Sequence, residues 1–129
     1  MIKVFISQPM SGRTEEEIIE ERLQEIGKIR MYFDEDVQII DSYITDDDKA
    51  LMAEDNANNK MWSDGNEYVY MLGLSITLMA QADVVWFVDG WANSRGCMYE
   101  WSVACDSGMR LIMKDSEGKI QDVQEGEYE

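Results

Sequence analysis

The chain has 129 residues, 45% of them hydrophobic, with 27 acidic against 11 basic side chains, one proline and no histidine. That length supports one compact domain with a real core, and a net charge of −16 repels phosphate backbones, so neither several domains nor a polymeric nucleic-acid partner is expected. Without histidine, imidazole zinc sites, Ser-His-Asp triads and histidine general bases are excluded, and acid–base chemistry falls to carboxylates, tyrosine, lysine or cysteine.

Residues 2–7 (IKVFIS) form a β-branched and aromatic run that ends in the polar turn Gln8-Pro9-Met10-Ser11-Gly12-Arg13. Thr14 and Glu17 make a T-x-x-E capping box, which opens a helix predicted through Phe33. Ile18, Ile19, Leu23, Ile26, Ile29 and Phe33 keep helical spacing and are the expected core face. Residues 37–40 read as a second strand. From 45 to 65 the chain is a polar excursion rich in Asp and Asn, and a second firm helix is predicted over 67–80.

Residues 83–88 (DVVWFV) are a continuous apolar run of the kind buried on both faces of a sheet. A turn over 89–93 and a helix from Ser94 to Ser107 follow, then a buried strand over 109–113, a short edge strand over 120–123 and an acidic tail over 124–129. Strands alternating with helices predict a parallel sheet with helices on both faces. The expected fold class is α/β, a flavodoxin/Rossmann-like three-layer sandwich around a four- to five-stranded, mainly parallel sheet, within a single domain over 1–129. Right-handed crossovers place the carboxyl ends of the strands on one edge, where loops 8–13 and 89–96 are expected to meet.

No apolar run approaches the ~20 residues of a membrane span, so no membrane partner is expected. The segment MIKVFISQPM lacks a long apolar region with a small-residue cleavage site, so no signal peptide is expected. Cys97 and Cys105 lie eight apart in one predicted helix, about 12 Å of rise and too far to bridge each other. Two unpaired thiols suit a reducing, cytoplasmic setting. Both cysteines are expected to pack as small apolar groups.

The candidate chemistry sits in the two converging loops. In Ser94-Arg95-Gly96-Cys97-Met98-Tyr99-Glu100, Ser94 stands at the N-cap, and Gly96 lets a ligand approach the first-turn amides, a seat for a phosphate or sugar oxygen. Glu100, about a turn and a half further on, faces the same mouth and could act as a nucleophile at a sugar carbon. The bland alternative is a solvated glutamate that complements the helix dipole. In the first loop Gly12 permits a tight turn and Arg13 supplies a cation; the alternative there is an ordinary strand-to-helix connection. Asp46-Asp47-Asp48 lacks the alternation and glycine of a calcium loop and reads as a solvated charge run. Tyr43 and Trp62 fall in loops from which they could stack on a planar ring, or be buried instead.

The segments MIKVFISQPMSGRTEEEI and QADVVWFVDGWANSRGCMYEWSVACDSGMRLI resemble the nucleoside 2-deoxyribosyltransferase superfamily. Within it they are similar to small, often phage-encoded relatives and to deoxynucleoside 5′-monophosphate N-hydrolases. The resemblance covers residues 2–13 and 66–113. It implies cleavage or transfer at the N-glycosidic bond of a (deoxy)nucleoside or its 5′-monophosphate, with Glu100 as the nucleophile and no metal or cofactor.

Serine rather than aspartate at position 94 favours the monophosphate branch. Ser7, Gln8, Ser11, Gly12, Arg13, Ser94, Arg95 and Gly96 are then expected around the phosphate and sugar, and Tyr43, Trp62 and Trp91 around the base. The superfamily carries an aspartate eight residues before Asp83, where this chain has Ser75; Asp41, Asp64 and Asp89 are the candidate substitutes. That departure motivates the alternative of a non-catalytic protein that binds a nucleotide or signal nucleotide; a purely structural or interaction role is the third reading. The resemblance also implies a homodimer or larger homo-oligomer.

Overall fold

The computed structural model describes residues 1–40 and 67–124, with Glu67 described by its backbone alone. The elements are β1 (Ile2–Ser7), α1 (Glu15–Tyr32), β2 (Val37–Ile40), α2 (Glu67–Met79), β3 (Val84–Phe87), a 3-10 turn (Trp91–Asn93), α3 (Arg95–Asp106), β4 (Arg110–Lys114) and β5 (Ile120–Val123). They form an α/β structure on one five-stranded mixed sheet in the order β2-β1-β3-β4-β5. The first four strands run parallel, and β5 pairs antiparallel with β4, so that Leu111 faces Val123 and Lys114 faces Ile120.

The antiparallel edge has a local cause. A parallel return needs a crossover of a dozen or more residues, whereas β4 and β5 are joined by a short turn. Asp115 shapes that turn by accepting the backbone N–H groups of Glu117 and Lys119, both at 2.9 Å. Arg110 then forks onto Asp122, with Nε to Oδ1 at 2.9 Å and Nη2 to Oδ2 at 2.7 Å, and Tyr32 Oη donates to the same carboxylate at 2.7 Å. The fork holds the Asp122 carboxyl below its ordinary range.

Alternation along the strands splits the apolar side chains into two clusters. Val4, Ile6, Val84, Trp86, Val88 and Ile112 point to one face and meet Ile29 of α1 and Phe33 at its C-cap. Phe5, Val85, Phe87 and Leu111 point to the other and meet Met79 of α2 and Ala104 of α3. All four residues of β3 are buried, as its unbroken apolar run predicts.

Helix α1 starts where the capping box places it: Glu17 N–H donates to Thr14 Oγ1 at 3.2 Å, and Thr14 N–H reaches back to Glu17 Oε1 at 3.4 Å. Its inward face, however, differs from the predicted one. Ile18, Ile29 and Phe33 are buried, but Ile19 is 39% exposed and Leu23 65% exposed. The buried stripe is Ile18, Arg22, Glu25 and Ile29. Two charged residues can enter it because each finds partners: Arg22 Nη2 donates to Ile40 O at 3.4 Å, and Glu25 accepts Trp86 Nε1–H at 3.1 Å and pairs with Lys28 at 2.8 Å. Among the described residues no helix is long and apolar enough to cross a membrane.

Candidate active site

The sheet order places a switch point between β1 and β3, the position at which open α/β sheets hold ligands beyond the carboxyl ends of their strands. Ser7 ends β1 there, in register with Phe87, and Val88 N–H donates to Ser7 O at 2.9 Å. The two predicted loops do meet: a Cβ on Gly90 would stand 3.6 Å from Pro9 Cγ. Gly12 and Gly90 make the turns possible by adopting φ of +76° and +91°, values that L side chains rarely tolerate.

Glu100, on α3, reaches the carboxyl end of β1 and is only 7% exposed, so it is not the solvated helix glutamate of the bland reading. Ser7 Oγ donates to Oε1 at 2.8 Å, and Ser75 Oγ, from α2, donates to Oε2. Burial pushes the carboxyl above its ordinary range, and the two serine hydrogen bonds pull part of the way back. The clamp is asymmetric, because Ser7 is buried and Ser75 lies at an intermediate depth. Oε1 is thus anchored on the sheet side while Oε2 lies toward the more open side.

Ser94 is the N-cap of α3, as predicted, accepting Cys97 N–H at 3.4 Å. Cys97 is buried as expected, its thiol raised by burial despite hydrogen bonds to Ser7 and Ser94. Gly96 lies open to a neighbour the sequence analysis did not single out: Tyr68 Oη would be 3.9 Å from a Cβ there. Arg95 stacks its guanidinium over the Tyr68 ring at 4.2 Å. The missed signal is a spacing within α2, since Tyr68, Ser75 and Met79 fall on one helical face toward α3.

Other expected contacts are redirected. Arg13 folds back onto its own loop and α1, with Nη1 at 3.0 Å from Pro9 O and 2.5 Å from Glu21 Oε1, so its charge is neutralised by a carboxylate. Gln8 is buried; its Nε2 donates to Ile18 O at 2.9 Å and Glu21 Oε1 at 3.0 Å, while its Oε1 has no partner. Ser11 and Gly12 are exposed at the turn.

Trp91 is drawn into the apolar cluster, its ring centroid 5.1 Å from that of Phe87 and 5.9 Å from that of Trp101 in a stacked arrangement, so its faces are taken up by its own chain. Asp89 is exposed and lies 3.7 Å from Lys114. Tyr43, Trp62, Asp41, Asp64 and Asp46-Asp47-Asp48 fall outside the described residues. Among the described residues no three His, Cys, Asp or Glu side chains gather as a metal site.

When ionised, a carboxylate held at both oxygens by neutral donors is not charge-cancelled by them, and one lone-pair position remains on each oxygen. Such a group can attack an electron-poor carbon, accept a proton or hold a ligand hydroxyl. Comparisons with protein-family models, curated proteins and solved structures gave no match for this chain.

Proposed function

We propose that the protein cleaves or transfers at the N-glycosidic bond of a (deoxy)nucleoside or its 5′-monophosphate, with Glu100 as nucleophile. The observation that carries this reading is the clamp: a glutamate nine-tenths buried at the carboxyl ends of parallel strands, each oxygen oriented by a serine from a different element. The strand order and the apolar clusters on both sheet faces also support a flavodoxin/Rossmann-like, three-layer reading of the fold.

In this mechanism Oε2, on the more open side, attacks C1′ while Ser7 fixes Oε1. The C1′–N bond breaks, its electron pair leaves with the base, and the base takes a proton from solvent. The ester formed on Glu100 is then opened at C1′ by water, or by a second base in a transfer reaction. The carboxylate stabilises the oxocarbenium-like transition state on both occasions. The first-turn amides of α3 around Gly96, with Arg95 and Tyr68 beside them, are the seat for a 5′-phosphate.

One observation favours a second reading, in which the pocket holds a nucleotide without turnover. Both described hydrogen-bond partners of Glu100 are hydroxyls; neither is a second carboxylate that could share a proton or grip a sugar hydroxyl. Incubation with deoxynucleosides and their 5′-monophosphates, followed by chromatography for free base, separates the two. Base released by the wild type and lost in Glu100→Gln supports the enzyme. No release, with a nucleotide raising Tm in both proteins, supports the binding protein. Turnover retained in full by Glu100→Gln overturns the assignment of the nucleophile.

A further inference from the structure

We infer that Cys97 is a positioning residue of the Glu100 clamp: its thiol donates to Ser7 Oγ and so commits the one Ser7 hydroxyl proton to Glu100 Oε1. Its catalytic meaning rests on the reading of Glu100 as nucleophile, while the ordering of the protons does not.

The fold brings the three groups together out of reach of solvent. Cys97 and Glu100 stand three residues apart on α3, on the face that the helix buries with Ala104. Ser7 is the last residue of β1. Cys97 is 2% exposed and Ser7 1%, so bulk water has no access to replace the thiol as a partner of the hydroxyl. Around Glu100 stand Ser7 from β1, Ser75 from α2 and Cys97 from its own helix, all neutral groups.

A serine hydroxyl carries one proton and two acceptor positions, and a thiol carries one proton. With Glu100 ionised, Ser7 Oγ gives its proton to Oε1 at 2.8 Å. Cys97 Sγ is hydrogen-bonded to the same hydroxyl and to Ser94 Oγ. Toward Ser7 the thiol must then be the donor, since Ser7 has no second proton to give. Ser94 accepts Cys97 N–H at 3.4 Å and keeps its own hydroxyl proton for the sulfur. One direction satisfies every group: Ser94 to Cys97, Cys97 to Ser7, Ser7 to Glu100. Burial holds the thiol in its protonated, donating form. Cys97 is therefore more than the small apolar filler expected of it, because a methyl group of similar size has no proton to donate. Donation into Ser7 Oγ polarises its O–H and strengthens the bond to the carboxylate by ~10–30%, which favours the ionised form of Glu100.

Carbon-13 NMR of the glutamate carboxyl carbons, with the Glu100 signal assigned by Glu100→Gln, follows this titration in the ligand-free protein. Cys97→Ala removes the donor and is expected to raise the Glu100 midpoint by ~0.3 pH unit. Cys97→Val, which lacks the donor but fills the space, is expected to do the same. Cys97→Ser supplies a donor in nearly the same shape and is expected to return the midpoint to the wild-type value or below. In a Ser7→Ala background Cys97→Ala is expected to leave the midpoint where it is, because the thiol acts only through that hydroxyl. A packing disturbance would act in both backgrounds alike. The acid limb of the pH profile of base release is expected to move up with the midpoint in Cys97→Ala and to recover in Cys97→Ser. A midpoint unmoved by both Cys97→Ala and Cys97→Val, a failure of Cys97→Ser to recover it, or an equal change in the Ser7→Ala background overturns the inference. The expected titrations in a protein that releases no base support the proton ordering and overturn the proposed reaction alone.

Discussion

Replacing Glu100 by glutamine tests whether burial, rather than any ion pair, governs this carboxyl. The amide has the same shape and satisfies both serines: its oxygen accepts from one hydroxyl and its NH2 donates to the other. What it removes is the cost of keeping a charge out of water. Because burial raises the Glu100 carboxyl above its ordinary range, the folded chain binds that proton more tightly than the unfolded chain. Stability must then fall as pH rises from the ordinary carboxyl range to the folded pKa, by at most about 1.4 kcal/mol per pH unit. Below that window wild type and variant differ only by small packing terms, and above it Glu100→Gln is the more stable protein. For a domain of this size ~1 kcal/mol moves Tm by roughly 4 °C. Urea titrations of both proteins at half-unit pH steps measure the difference, in which the other carboxylates cancel. A difference that stays flat with pH, or a variant less stable than the wild type at neutral pH, refutes the reasoning.

Thr14→Ala removes the hydroxyl that caps α1, which accepts Glu17 N–H and donates to the Glu17 carboxylate, and leaves only the backbone bond from Thr14 N–H, at an expected cost of about 1 kcal/mol in urea unfolding. Gly90→Ala forces an L residue to φ of +91°, and since the new Cβ would meet Pro9 only at ordinary contact distance, backbone strain sets a cost of about 1–2 kcal/mol by the same assay. Asp122→Asn breaks the Arg110 fork that keeps this carboxyl below its ordinary range. The wild-type advantage, about 1 kcal/mol at neutral pH, is expected to vanish as pH falls through the folded pKa of Asp122, which paired unfolding curves at neutral and acid pH will show.

The elements that could be read from the chain are those whose cause is local. The IKVFIS run, the capping box at Thr14 and Glu17, the doubly buried β3 and the N-cap at Ser94 each need only neighbouring residues, and the structure has them where the spacing puts them. The inward face of α1 depends on partners far along the chain. Arg22 is tolerated inside because Ile40 offers a carbonyl, and Glu25 because Trp86 offers an indole N–H, 61 residues away. Counting apolar residues alone assigns Ile19 and Leu23 to the core and leaves those two charges outside. Arg13 fails as a free cation for a similar reason, since Glu21 lies two turns along the helix that the loop itself opens.

The same distinction explains what was legible at the site. Glu100 could be singled out by its distance from an N-cap, but its two hydrogen-bond donors lie 93 and 25 residues away, and only the sheet and the α2–α3 packing bring them together. Their chemical type bears on the proposed reaction. An arginine or lysine beside Glu100 would orient the carboxylate and at the same time cancel the charge it presents to an electron-poor carbon. Serine hydroxyls orient it and leave that charge intact. Placing such a carboxylate where water is largely excluded raises its proton affinity, which stability registers as a cost and a cation-like transition state would register as attraction. A stability gain from Glu100→Gln accompanied by loss of base release would therefore be two readings of one arrangement: a buried carboxyl held by neutral hydroxyls at the carboxyl end of β1.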